Sequence, residues 1–346
     1  MKIIDKYFPL ISSIPEQQKS LFSGTRLASF FLAFIQFLAI LYIVNQFQFE
    51  KSSGIIDYSP HIIVAFVVYN FFSVRYRPTL LFVFCLVIIY SAFGMLAGSF
   101  ITVLGLGLIA ICHLPIRFNF RLFLILLGTV ALIVFRTEII FIPWMTMSAM
   151  YLAPMFMFRL IIYLYEIKHG LLPVSKWQSV VYFFMFPNIF FLFFPIIDYK
   201  TYLKTYHNVA DSEVWQKGIR WMLRGLIHVF CYRLLCFNLL IEPADVQDLT
   251  TLLQYMLVNY ALILRISGIF HFIIGLLCMF GFNLPQVFDN YFLATGFVDL
   301  WRRINIYWRD FILKIFFYPI MFKYKKRIKN NLLLRYKVLR ITVHTW

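Results

Sequence analysis

The fold of this chain is decided by a long uncharged stretch, TLLFVFCLVIIYSAFGMLAGSFITVLGLGLIAICHL, at residues 79–114. A helix that crosses a bilayer needs about 20 apolar residues, so this stretch is too long for one crossing and barely long enough for two. Glycine adopts backbone conformations that interrupt a helix, and the stretch contains Gly94, Gly98, Gly105 and Gly107. We therefore predict that these glycines divide it into a tight pair of membrane helices.

The composition of the whole chain agrees with this local pattern. Of its 346 residues, 62% are hydrophobic and 14% are charged, and the mean hydropathy is +0.80. A soluble domain is about half apolar and a quarter charged. The apolar runs are continuous and lack the two-residue alternation of a membrane β-barrel. The sequence therefore predicts an all-α, polytopic transmembrane protein.

Apolar segments recur along the chain on both sides of this stretch. They cover residues 27–46, 61–74, 122–135, 139–158, 178–197, 221–241 and 249–284. Segment 159–176 carries Arg159, Glu166, Lys168 and Lys176, and we expect it to lie at the cytoplasmic interface. Basic residues flank both ends of 178–197, which interrupts the alternation expected from the positive-inside rule. We predict about eight to ten membrane helices with one re-entrant element, in a multi-pass protein of the cell (plasma or inner) membrane.

The domain organisation follows from the charge distribution, because no Gly/Ser/Pro-rich linker or repeat divides the chain. A polar N-terminal segment at 1–26 precedes a transmembrane domain at 27–320, and a basic C-terminal tail covers 321–346. The region 297–329 is amphipathic and basic, which is typical of a helix that lies in the membrane interface.

Several function classes are disfavoured by the sequence. The net charge of +17 comes from basic residues in the loops between apolar blocks, as membrane topology requires, so we expect the lipid bilayer and not nucleic acid as a partner. The five cysteines include no close pair of the zinc-binding kind, and we expect neither a metal site nor a bound cofactor. The chain also lacks the P-loop, G-x-G-x-x-G and G-x-S-x-G motifs.

The stretch FVDLWRRINIYWRDF at 297–311 differs from the apolar blocks around it. On a single helix, Trp301, Ile304, Trp308, Phe311, Ile312 and Ile315 would share one face. Asp299 lies within ion-pairing range of Arg302 and Arg303. Asn305 is a polar amide on the apolar face. These features describe either an interfacial helix whose asparagine bonds to backbone or a functional site.

The sequence motifs around this stretch favour a functional site. From Ser267 onward the chain contains SG, then IIGLLCMFGFNLPQVFDNYFLATGFVDLWRRINIYWRDF, and then KIFFYP. This order of motifs over roughly 260–320 resembles the membrane-bound O-acyltransferase family, especially its bacterial polysaccharide-modifying branch, which serves alginate O-acetylation and D-alanyl transfer.

The resemblance implies a membrane enzyme that moves an acyl group, for which we expect acetyl, to a hydroxyl of a cell-surface or exported glycan or lipid. The implied donor is acetyl-CoA or an acyl-carrier protein, which acts as a substrate. An accessory acyl-transfer protein is a further partner in this family.

The family's catalytic pair maps onto Asn305 and His344, which lie 344 − 305 = 39 positions apart. An imidazole in a dry site can act as general base, and an amide can stabilise the developing oxyanion. The resemblance assigns the shaping of the pocket and its mouth to Trp301, Arg302, Arg303, Trp308 and Arg309. His344 departs from the family pattern, because its approach carries Arg335, Lys337 and Arg340 instead of an apolar helix.

Two further histidines are candidates for substrate contacts. His228 continues a polar stripe formed by Arg220, Arg224 and Tyr232 along one helix face, and such a stripe often marks a cavity. Its alternative explanation is that the arginines reach the interface while His228 bonds to a neighbouring helix. His271 stands where relatives carry an acid, in the stretch Arg265-Ile-Ser-Gly-Ile-Phe-His271.

Two rival functions stay open at this point. The first is a catalytically inactive or truncated acyltransferase homologue that keeps the fold without the base. The second is a polytopic anion transporter or channel, in which the Arg220–Tyr232 stripe would be essential and Asn305 dispensable.

Overall fold

The computed structural model describes residues 24–49, 55–140, 142–170, 176–185 and 195–328. These residues form helices, and within them the structure contains no β-strand, only an isolated antiparallel bridge between Tyr206 and Phe282. The α-helices in chain order are α1 (Gly24–Gln46), α2 (Ile55–Phe71), α3 (Arg77–Cys112), α4 (Phe118–Arg136), α5 (Pro143–Lys168), α6 (Lys176–Phe184), α7 (Tyr199–Thr205), α8 (Asp211–Leu239), α9 (Leu249–Met279), α10 (Phe297–Arg303), α11 (Ile306–Ile312) and α12 (Tyr318–Ile328).

The helix lengths identify a membrane protein. Among the described residues, five helices are long and apolar enough to cross a bilayer, namely α1, α3, α4, α8 and α9. The predictions of an all-α fold and of membrane-spanning helices are therefore confirmed.

Helix α3 contains the break that its glycines predict. Gly94 has φ 73° and ψ 179°, which no residue inside a helix adopts. A Cβ at Gly98 would lie 2.9 Å from the ring of Tyr90, and the Tyr90 hydroxyl is 3.3 Å from Ser99 Oγ. In a straight helix, residues eight positions apart are separated by about 12 Å along the axis. The chain therefore bends sharply at Gly94, and 77–93 and 95–112 are two separate helical halves.

The region around α5 and α6 differs from the sequence-based expectation. Segment 159–176 is not a simple connection, because α5 continues to Lys168 and buries Arg159 and Glu166; its expected place at the cytoplasmic interface stays a prediction. The span predicted over 178–197 lies partly outside the described residues, and within them α6 has nine residues and ends at Phe184. Arg159 Nη1 donates to the carbonyl oxygens of Tyr182 and Phe183, at 3.2 and 2.8 Å. A helix leaves these last carbonyls without intrahelical partners, so Arg159 is buried because it completes the end of α6.

Helices α8 and α9 pack against each other through glycines. A Cβ at Gly225 would lie 2.5 Å from the Gly268 carbonyl oxygen, and a Cβ at Gly275 would lie 2.6 Å from the Gly218 carbonyl oxygen. The backbones therefore touch at two places, seven residues apart on each helix. Small residues allow this close approach in membrane proteins, where association depends on packing because lipid is as apolar as the helices.

Aromatic side chains join α1 and α2 to the start of α8. The ring of Phe66 stacks on that of Phe30, with centroids 5.5 Å apart, and both rings meet the edge of Trp215. All three side chains are buried. Aromatic pairs with these offsets stabilise a packed core beyond their buried area.

The chain divides into two compact units, residues 1–285 and 286–346. The second unit contains α10, α11, a π-helical turn at Leu313–Phe317 and α12. The stretch does not form the single helix on which its residues would share one face, because Asn305 has φ 42° and separates α10 from α11. The domain boundaries expected at residues 26 and 320 stay predictions.

Candidate functional site

The break at Asn305 is built into the second unit by backbone hydrogen bonds. Asn305 lies in the left-handed region, which asparagine tolerates better than most residues. The interruption leaves the Arg303 carbonyl and the Ile306 amide without hydrogen-bond partners inside their helices. Ile306 N donates to Val287 O at 2.8 Å, and Asp289 N donates to Arg303 O at 2.9 Å. The L-P-x-x-F motif at 284–288 therefore supports the break at the W-R-R-I-N motif.

The side chain of Asn305 forms the N-cap of α11. Its Oδ1 accepts a hydrogen bond from Trp308 N at 3.2 Å, which is the usual N-cap geometry. This bond also fixes which end of the amide is oxygen. Among the described residues, Nδ2 of Asn305 has no hydrogen-bond partner, so the rigidly held amide can donate to an added group such as an acyl carbonyl.

The arginines of this stretch are held by local contacts. Arg303 Nε donates to Asp299 Oδ2 at 3.0 Å, which confirms the predicted ion pair for Arg303 and lowers the pKa of Asp299. Arg309 Nη2 donates to Asp310 Oδ1 at 2.7 Å, while Arg309 Nη1 donates to the Arg302 carbonyl at 3.0 Å. The last contact joins α10 to α11.

The two tryptophans of the stretch lie on these same helices. Trp301 on α10 is 47% exposed, and Trp308 on α11 is half-buried. The structure thus brings together the predicted residues Trp301, Arg302, Arg303, Asn305, Trp308 and Arg309, on two short helices instead of one.

The first unit brings together two further predicted residues. His228 on α8 and His271 on α9 meet edge to face, with ring centroids 5.3 Å apart. His228 Nδ1 lies 2.8 Å from Ser267 Oγ, and His271 Nδ1 lies 2.6 Å from the Ser267 carbonyl oxygen. Trp221 stacks on His271 at 4.9 Å. The alternative in which His228 bonds to a neighbouring helix is therefore confirmed.

These contacts determine where the imidazole protons sit. A carbonyl oxygen only accepts, so His271 Nδ1 must carry a proton, and in the neutral ring Nε2 is then the basic nitrogen. The Ser267 hydroxyl lies between two acceptor positions, Leu264 O at 3.3 Å and His228 Nδ1 at 2.8 Å. One serine therefore holds both imidazoles and sets the tautomer of His271.

The polar stripe along α8 is less continuous than its spacing suggests. Arg220 and Arg224 are exposed, and the Arg224 guanidinium lies 4.9 Å from the Trp221 ring centroid. The Tyr232 ring instead lies beside Arg265 of α9, whose guanidinium carbon is 6.0 Å from the ring centroid. The exposed arginines match the interpretation in which their side chains reach the membrane interface.

His344, the predicted base, lies outside the described residues, which end at residue 328. The same is true of Arg335, Lys337 and Arg340, the basic residues that precede it in the sequence. The role of His344 as general base therefore stays a prediction.

A buried ionic cluster, made of Arg26, Arg77, His207 and Asp211, was not predicted from the sequence. Asp211 Oδ2 accepts from Arg77 Nη1 and from Arg26 Nη2, both at 3.1 Å, and Asp211 Oδ1 lies 3.0 Å from His207 Nδ1. The Arg77 side chain is fully buried and that of Asp211 is 5% exposed. A buried charge needs such partners, so this cluster fixes α1 and α3 to the start of α8.

His207 sits at the centre of this cluster. Tyr69 OH lies 3.1 Å from His207 Nε2 and donates to the Phe280 carbonyl at 2.7 Å. Gly281 has φ 84°, and a Cβ there would clash with the His207 ring. Burial lowers the pKa of His207, although the hydrogen bond and charge of Asp211 act in the opposite direction. The four-residue spacing of His207 and Asp211 was the only local signal of the cluster.

Comparisons with known proteins do not assign this arrangement. No protein-family model matches the sequence, and no curated protein is significantly similar to it. Among the described residues, no group of three or more His, Cys, Asp or Glu side chains could hold a metal ion. The function therefore has to be argued from the motifs and from the geometry of the described residues.

Proposed function

We propose that this chain is a membrane-bound O-acyltransferase that places an acyl group, acetyl by preference, on a hydroxyl of a cell-surface or exported glycan or lipid. The donor is acetyl-CoA or an acyl-carrier protein. The motif order over 260–320 supports the reaction type. The single observation that carries the proposal is the geometry of Asn305, whose Oδ1 is used in the cap of α11 while Nδ2 stays available as a donor.

The chemistry assigns one role to each member of the proposed pair. His344 takes the proton of the acceptor hydroxyl, and the resulting oxygen attacks the thioester carbonyl carbon. Asn305 Nδ2 donates to the carbonyl oxygen as it becomes an oxyanion. The carbon–sulfur bond then breaks, an ester is formed, and the thiolate leaves with the proton as a free thiol. Trp301, Arg302 and the other aromatic and basic residues of α10 and α11 shape the pocket around the donor.

The proposed architecture has eight to ten crossings of the cell membrane. Eight are supplied by α1, α2, the two halves of α3, α4, α5, α8 and α9. Helix α6 has nine residues, about 14 Å at 1.5 Å per residue, which is half of the bilayer core. We assign it to the re-entrant element.

The test measures transfer from labelled acetyl-CoA to the glycan and lipid fractions of membranes that contain this chain. Asn305→Asp keeps the oxygen that caps α11, removes the amide donor and adds a negative charge beside the proposed oxyanion, so it should lower transfer by at least about 10²–10³-fold with unchanged protein level. Asn290→Asp is the matched control, because Asn290 has the same left-handed backbone, φ 41°, and caps no helix through its side chain. It should retain transfer.

The outcomes separate the proposal from its rivals. Undiminished transfer by Asn305→Asp would remove the amide from the mechanism. Absence of transfer by folded parent protein, whatever the donor, would favour an inactive homologue, and anion flux in proteoliposomes would favour a transporter. His344→Ala tests the base, and transfer that survives this change moves the base to His271 or His228, each to be replaced in turn by alanine.

A further inference from the structure

A small cavity lies where α1, α2 and the start of α8 meet, and its lining includes neither His228 nor His271. It has a volume of about 20 Å³ and is lined by Arg26, Leu27, Phe30, Asn70, Phe71 and Trp215. Four of these six side chains are apolar, so the cavity has an apolar wall with one cationic and one amide group set into it.

Two lining residues carry buried polar atoms that have no hydrogen-bond partner among the described residues, namely Arg26 Nη1 and Asn70 Oδ1. In each side chain, a terminal nitrogen atom forms a hydrogen bond. Arg26 Nη2 donates to Asp211 at 3.1 Å, and Asn70 Nδ2 donates to the Phe66 carbonyl at 2.9 Å. Because Nδ2 needs that acceptor, the amide orientation is fixed. The cavity therefore offers one donor and one acceptor, and buried groups of this kind are normally satisfied.

The charges beside the cavity do not balance. Two guanidinium groups, Arg26 and Arg77, share the single carboxylate of Asp211. Among the described residues, no second carboxylate pairs with either arginine. Arg26 is the member of this cluster that lines the cavity, and its side chain is 13% exposed. A buried cluster with an excess positive charge attracts an anionic group to its accessible side.

We propose that this cavity binds an anionic, hydroxyl-bearing lipid headgroup of the phosphatidylglycerol type. A volume of about 20 Å³ holds one oxygen-sized group. A single oxygen that accepts from Arg26 Nη1 and donates to Asn70 Oδ1 is that of a hydroxyl group or of water, and the excess charge of Arg26 favours a hydroxyl carried by an anionic group. The neighbouring phosphate balances the excess charge of Arg26, and Leu27 and Phe71 contact the apolar part of the lipid. This site is independent of acyl transfer.

The experiment uses the full chain, purified in detergent and freed of bound lipid. Binding of dioctanoyl phosphatidylglycerol, dioctanoyl phosphatidylcholine and inorganic phosphate is measured by native mass spectrometry. Phosphatidylglycerol should bind at least about tenfold more tightly than phosphatidylcholine, which has neither net charge nor a hydroxyl, because one lost charge-assisted hydrogen bond changes affinity by about this factor. Inorganic phosphate should bind weakly, since it lacks the apolar part.

Two variants test the two polar groups. Arg26→Met and Asn70→Leu should each weaken phosphatidylglycerol binding about tenfold. Arg26→Met should abolish the preference over phosphatidylcholine, and Asn70→Leu should reduce it. Both should fold, because Asp211 keeps Arg77 and His207, and Asn70 loses only a bond within its own helix. Arg75→Met is the matched control, since Arg75 is an exposed arginine between α2 and α3. It should leave binding unchanged.

Three results would overturn the proposal. Equal loss of binding in Arg75→Met would show general attraction between a basic surface and an anionic lipid. Inorganic phosphate that binds as tightly as phosphatidylglycerol would show a free-anion site. Asn70→Leu with higher thermal stability and unchanged lipid binding would show that the cavity holds water or nothing, because replacing an unsatisfied acceptor by an apolar group is then favourable.

Discussion

Replacing Gly225 by alanine should separate helices α8 and α9. The new Cβ would lie 2.5 Å from Gly268 O, and ordinary contact begins at 3.4 Å, so the backbones must move apart by about 0.9 Å (3.4 − 2.5). Overpacking of a tight contact costs about 1–3 kcal/mol. Alanine also has a higher helix propensity than glycine by about 1 kcal/mol. This gain offsets part of the steric cost, so it has to be measured separately.

Gly107→Ala provides that correction. Gly107 is an exposed helical glycine of α3, and a Cβ there would meet no atom within 4 Å. Both variants gain helix propensity, so their difference in unfolding free energy isolates the steric cost. We expect Gly225→Ala to be less stable than Gly107→Ala by about 1–3 kcal/mol, measured by sodium dodecyl sulfate denaturation in mixed micelles. Equal stability of the two variants would refute the close approach of α8 and α9.

Three further changes can be measured in the same assay. Burial lowers the pKa of His207, so the unfolded chain binds more protons below about pH 6.5, and parental stability should fall as the pH drops from about 7 to 5. His207→Gln should flatten this slope. Arg159→Met should cost about 1–3 kcal/mol, because it removes the donor to the buried carbonyls of Tyr182 and Phe183. Gly94→Ala should cost about 1–3 kcal/mol through backbone strain alone, since open space surrounds Gly94.

Each of these expectations has a contradicting result. A pH slope that is the same in His207→Gln would contradict the assignment of this titration to His207. If Arg159→Met is as stable as the parent protein, water satisfies the carbonyls of Tyr182 and Phe183. Parental stability of Gly94→Ala would contradict the sharp bend in α3.

Hydropathy predicts the long helices well, because an uninterrupted apolar run has few alternatives to crossing the membrane. The predicted span 27–46 and the block 79–114 correspond to α1 and to the two halves of α3. The burial of Arg159 was not predicted. Its charge favours an exposed side chain, yet it is buried because carbonyls of a different helix accept its hydrogen bonds. The sequence around Arg159 does not indicate that carbonyls of another helix will accept its hydrogen bonds.

The candidate site was predicted only in part, because sequence patterns show neighbours along the chain and not residues that are distant in sequence. The residues of 297–311 are neighbours in sequence, so their motif is visible, whereas the cluster at His207 joins positions that lie 134 and 185 residues apart. The left-handed backbone of Asn305 did have a local signal, since asparagine is one of the few residues that adopts it readily. Helical periodicity alone concealed that signal, because it assumes an uninterrupted helix.

The glycine contacts and the histidine pair share one helix seam, so stability and chemistry are coupled there. Gly268 directly follows Ser267, which holds both imidazoles. A Cβ at Gly268 would lie 3.2 Å from His228 Cβ. A change that parts α8 and α9 therefore separates His228 from Ser267 and from His271, so a loss of activity in such a variant would report on packing as well as on the histidines. Asn305→Asp avoids this coupling, because it keeps its local cap and lies in the other unit. Its effect on acyl transfer reports on the chemistry and not on the packing.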